Sequence, residues 1–135
     1  MAREDWPKQV MAACASHFDN DIYNYKIEED ETDTSAWKLW AEFRILGPNV
    51  TKLNNIYRLD VIINILLSAV ANKTDAYELH KMAGYFQALF TDIEIDILGC
   101  LRLMETVDLT YHGAANNDRI FNATLEAPYS MLLKG

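Results

Sequence analysis

Residues 74–92, TDAYELHKMAGYFQALFTD, decide how the rest of the chain is read. Asp75 stands where an N-cap is needed and Glu78 follows three residues later, a capping-box-like start for a helix. Tyr77, Met82, Ala83, Phe86, Leu89 and Phe90 then recur at helical spacing and draw one apolar stripe. Glu78, Lys81, Tyr85 and Gln87 fall largely on the opposite side. An aromatic stripe this wide needs a sheet to lie on, and runs of alternating residues flank it on both sides. Gly84, inside the helix, reads either as a point of close packing or as a weak point.

Upstream, Asp5 precedes Trp6-Pro7, a favourable helix opening, and Trp6, Val10, Met11, Cys14 and Phe18 keep helical spacing to about Asn20. This apolar face matches that of the later helix, so both are expected on the same face of one sheet. The period then changes to two. Tyr23, Tyr25 and Ile27 alternate with Asn24, Lys26 and Glu28. Trp37, Leu39, Ala41, Phe43 and Ile45 alternate with Lys38, Trp40, Glu42 and Arg44. Gly47-Pro48-Asn49 reads as a break that opens a loop to about Asn55.

In the next strand Tyr57, Leu59, Val61, Ile63, Ile65, Leu67 and Ala69 form one face, and Ile56, Arg58, Asp60, Ile62, Asn64, Leu66 and Ser68 the other. Fully extended, residues 56–70 would span about 45–50 Å, against a radius of gyration of about 14 Å for a domain of this length. Either the strand bends or the hairpin of residues 36–70 projects from the body. Apolar residues on its second face call for cover, and a neighbouring copy of the same chain is the economical source. Trp40, Ile56, Ile62 and Leu66 are therefore the expected subunit interface.

Downstream, Asp92, Glu94 and Asp96 alternate with Ile93, Ile95 and Ile97, which reads as an extended segment with a solvated acidic face rather than a paired-carboxylate site. Leu101, Leu103, Val107, Leu109 and Tyr111 read as one further strand, with Glu105 out of phase. HGAANND, residues 112–118, has the composition of a tight reversal. Phe121, Ala123, Leu125, Ala127, Tyr129 and Met131 make a last strand, in which Pro128 fits only near an edge or the end of pairing. The expectation is one α+β domain over residues 1–135: a mainly antiparallel β-sheet with a long hairpin and two helices packed on one face.

Composition narrows the function more by exclusion than by pointing. Half of the 135 residues are hydrophobic, enough for a core without metal or disulfides, and the formal charge of −8 repels nucleic-acid phosphates. Residues 1–10 carry charges where a secretion signal needs an apolar run, so the sequons at Asn49, Asn72 and Asn122 carry no expectation of glycans. The longest apolar run, residues 61–71, is too short to cross a bilayer and contains Asn64 and Ser68, so no membrane partner is expected. Cys14 and Cys100 match no metal or redox spacing. They read as buried thiols, a bridge between subunits being the alternative. His17, His80 and His112 fall in three separate elements, and Gly84 stands where a zinc-protease pattern around His80 would need its second histidine. Nucleophile elbow, phosphate loop and dinucleotide fingerprint are all missing, so the chain is expected to be no enzyme and to need no metal or cofactor. The acidic run EEDETD, residues 28–33, reads as a solvated turn or loop without calcium-loop spacing.

The stretch YELHKMAGYFQALF, residues 77–90, followed by LGCLRL, residues 98–103, resembles the tail terminator and tail-completion proteins of tailed bacteriophages. So does the element order: helix, strand hairpin, helix, closing antiparallel pair. The resemblance implies a hexameric ring of identical subunits that caps the tail tube and joins it to the head–tail connector. DNA would pass through the lumen without specific binding, and the protein would reside in the virion after assembly in the host cytoplasm. That family contributes no catalytic residues. Its contacts run through strand edges and long hairpins, which correspond here to residues 36–70 and the 112–118 turn. The acidic 28–33 segment matches no feature of it. Another neck, head-completion or baseplate component is the neighbouring alternative. A cytosolic module that holds a protein partner on the hairpin is the alternative from another class.

Overall fold

A computed structural model describes residues 3–28, 31–71, 73–93, 95–96, 100–104, 106–114 and 120–134. In chain order the elements are α1 (Trp6–Ala15), β1 (Asn24–Ile27), β2 (Leu39–Leu53), β3 (Ile56–Val70), α2 (Ala76–Asp92), β4 (Ile95–Asp96), β5 (Cys100–Leu103), β6 (Asp108–Ala114) and β7 (Ile120–Lys134). The strands lie in the order β1-β2-β3-β7-β5-β4, and β6 shares with β5 the far edge of β7. Every pairing is antiparallel except that of β1 with β2. Both helices pack on one face of this sheet, an α+β architecture as the alternation predicts.

α2 starts as its sequence requires. The Asp75 backbone is extended, and its carboxylate accepts the Glu78 N–H at 3.0 Å. Its buried stripe is Leu79, Met82, Ala83, Phe86 and Phe90, while Tyr77 stands out at 70% exposure. Leu79 replaces Tyr77 because five residues of helix turn Tyr77 roughly 140° away from Met82. α1 stops at Ala15, short of the expected Asn20, because Asn20 serves the turn into β1: its side-chain oxygen accepts the N–H groups of Ile22 and Tyr23 at 3.1 and 2.8 Å. Phe18, beyond the helix, still reaches the core and stacks on Phe43 with ring centroids 4.1 Å apart. Phe86 and Phe90 close the same aromatic cluster from α2, and Trp6 meets Tyr57 edge-on from α1. The Tyr129 hydroxyl donates to the carbonyl of Phe90, tying β7 to the last turn of α2.

Several expectations are overturned by pairing between distant segments. Gly47-Pro48 opens no loop. Leu46 pairs with Ile62 and Asn49 with Asp60, so β2 takes one surplus residue as a bulge and continues to Leu53. Gly47 meets the geometry with φ +105° across a cis peptide to Pro48. The hairpin does not project, because β3 is paired along its whole length with both β2 and β7 and sits at the centre of the sheet. The single strand expected over residues 101–111 is two, β5 and β6, laid end to end on β7. Pro128 lies inside β7, where that partner changes: its carbonyl accepts the Met104 N–H at 2.9 Å, so its missing donor faces the gap between the two strands and costs β3 nothing. Asp92 ends α2, so it shares no strand face with Asp96 of β4, and Glu94 lies outside the described residues. β6 runs on to Ala114 with His112 as its bulged residue, and the rest of the expected 112–118 turn is outside the described residues.

Candidate functional site

Alternation along the strands gives the sheet two faces. One is filled: Ala41, Phe43, Leu59, Val61, Ile63, Ile65, Leu67, Leu125 and Tyr129 point to the helices and are buried. No described element lies over the other face. There the register sets side chains in rows across the strands. Leu46, Ile62 and Pro128 form one apolar row, in which Leu46 is 47% and Ile62 37% exposed.

To one side of this row run Arg44, Asn64, Glu126 and Asp108, then Glu42, Leu66, Thr124 and Thr110, then Trp40, Ser68 and Asn122. To the other side run Asn49, Asp60, Ser130 and Arg102, then Thr51, Arg58 and Leu132, and finally Leu53 beside Ile56 at the hairpin end.

All four residues expected at an interface, Trp40, Ile56, Ile62 and Leu66, lie on this uncovered face, but not as one cluster. Trp40 and Leu66 are diagonal neighbours on paired strands and are half-buried. Ile62 groups with Leu46 and Pro128 instead, and Ile56 sits with Leu53 near the far end. The sequence reading missed Leu46 and Pro128. Leu46 was accessible from the phase of Trp40, Glu42 and Arg44, whereas Pro128 became legible only with the register of β7.

The β6–β7 side of the face holds a shallow hollow of about 290 Å³ lined by Asp108, Thr110, His112, Thr124 and Glu126. His112 Nε2 and the Thr124 hydroxyl are 2.7 Å apart. Thr106 donates its hydroxyl to Asp108 at 2.8 Å, and Asn64 its amide to Glu126 at 3.5 Å. Among the described residues neither carboxylate has a cationic partner. The ion pairs lie across the rest of the sheet: Lys26 with Glu42 at 3.4 Å, Arg44 with Glu28 at 3.9 Å and Arg58 with Asp60 at 3.0 Å. A second hollow of about 240 Å³ at the hairpin end is lined by Lys52, Asn54, Asn55 and Tyr57.

Other candidates separate from this face. Cys14 is fully buried and its thiol is pushed up from 9.0 to about 12 by that burial, so it is not available for a bridge between subunits. The Cys100 side chain lies outside the described residues. Of the acidic 28–33 run, Glu28 reaches Arg44 across the uncovered face. The Asp33 carboxyl is held below its ordinary range by the Ser35 N–H and hydroxyl. His80 stands on Tyr111 with ring centroids 4.8 Å apart, away from His112. Among the described residues no three His, Cys, Asp or Glu side chains are grouped to hold a metal ion, and no helix is long and apolar enough to cross a membrane.

No known protein family and no curated protein matches the chain. Among solved structures, a chain identified only by a sequence number matches over 96% of this chain and 95% of its own length, with a TM-score of 0.57 and 10% identity. The likeness is one of fold.

Proposed function

We propose that this chain is a structural subunit of a phage neck or tail end, of the tail-terminator kind, that assembles into a ring. On this reading a hexamer closes the tail tube, meets the head–tail connector and lets DNA pass unbound. One observation carries it: a sheet packed on one side by two helices leaves its other side uncovered, with an apolar row and Trp40, Leu66 and Ile56 around it. A two-layer domain gains by burying such a face against protein, and subunit association is the direct way to do so. The negative charge of the chain agrees with a lumen that does not hold DNA.

The test is the assembly state of the purified chain and of the Ile62→Asp/Leu66→Asp double variant. A ring of defined mass once tail-tube protein is added, seen by light scattering and electron microscopy and lost in the double variant, is the expected result. Unpaired carboxylates in a contact are costly, while the helix-side core is untouched, so circular dichroism should stay native. A wild-type chain that remains monomeric at all concentrations, alone and with tail-tube protein, overturns the ring reading.

A further inference from the structure

We infer that the free chain pairs with a second copy of itself, uncovered face to uncovered face, about a two-fold axis lying along the Leu46–Ile62–Pro128 row. The inference rests on the reading of this face as a contact surface and not on the ring. The pair is the state of the subunit outside any larger assembly.

The register carries the argument. Asp108 pairs with Glu126 and Arg102 with Ser130, each two residues from Pro128 along β7 but in opposite directions. Both therefore sit on the same edge of β7, on the uncovered face, at equal distances from the apolar row. Rotation by 180° about that row lays Asp108 of one copy over Arg102 of the second, and the reverse, so the contact is made twice. Asp108 and Glu126 have no cationic partner in their own chain among the described residues, and this arrangement supplies one. Ile62, on the axis, meets its own counterpart. At the ends of the face Trp40 falls over Leu53, apolar against apolar, because the two lie equally far from the row in opposite directions along β2. An isologous contact makes each of these pairings twice.

Size agrees. Four strands about 4.8 Å apart and about 40 Å of usable length give roughly 800 Å² per copy, or about 1,600 Å² in total, the size of an ordinary stable interface. Two such sheets stacked face to face about 10 Å apart make a four-layer particle with helices outside.

Sedimentation equilibrium on the full chain, with Asp108→Arg, Arg102→Asp and the combined swap, tests this. The wild type is expected to sediment as a dimer at micromolar concentration. Each single reversal sets like charges together twice and should weaken pairing by roughly tenfold or more. The combined swap should recover most of that loss, which only a contact between these two positions produces. Native circular dichroism of each variant excludes unfolding as the cause. A monomeric wild type overturns the inference, as does a combined swap no better than the single changes. A six-membered ring indifferent to the swap also overturns the pair while leaving the ring standing. A dimer that responds to the swap and never forms a ring supports the pair and removes the ring.

Discussion

At the scale of single residues, Gly84 separates two readings that the sequence left open. It is exposed, and a Cβ built on it meets nothing within 4 Å, so no neighbour requires its smallness. Gly84→Ala should then stabilise the fold by about 0.5–1 kcal/mol, by restricting the unfolded chain and favouring the helix. A higher urea midpoint at unchanged slope is the check. Cys14 gives a second expectation. Its thiol ionises near 9 when unfolded and only near 12 in the fold, so the folded state holds its proton longer. Stability from this residue is complete below about pH 9 and is lost as pH rises toward about 12. The native protein at pH 8 should leave Cys14 unmodified by a thiol reagent and expose it on unfolding. The Asp75 cap was legible because it is local chemistry. The exchange of Tyr77 for Leu79 was legible as well, since the five-residue spacing to Met82 already turns Tyr77 roughly 140° off the stripe.

Elements were legible where one period held and illegible where pairing set the boundary. The α2 stripe is such a period. Phe86, fully buried against Phe43, Tyr23 and Tyr85, should cost about 3–5 kcal/mol when cut to alanine. Chemical denaturation measures this, and a loss under about 1 kcal/mol would show that the ring is not core. Residues 101–111 read as one strand because leucine, valine and tyrosine keep the alternation across residues 104–107. What divides them is the neighbouring strand: β7 takes β5 beside Ser130 and Tyr129, then β6 beside Glu126 and Leu125. The Gln87 amide, donating to the Val107 carbonyl at 2.8 Å, fixes the segment between them to α2.

For the whole molecule, the α+β class and the single helical layer followed from amphipathicity alone. The central position of the hairpin and the parallel seating of β1 did not, because strand order depends on segments far apart in sequence. The uncovered face was visible in outline as apolar residues on both sides of residues 56–70, without the rows that give it shape. Those rows depend on the bulge at Gly47-Pro48, and the dependence is a matter of odd and even. The surplus of one residue is what keeps Thr51 and Leu53 on the side of Trp40, Glu42 and Arg44. Removing Pro48 alone would leave β2 with plain alternation and the same residues outward. Removing both residues would turn the far half of the strand over, sending Lys52 outward and Leu53 toward the helices. The one-residue deletion should therefore retain association and the two-residue deletion lose it, an outcome that gel filtration of the two shortened chains would register. At this point in the chain, length changes are sorted by parity and not by size.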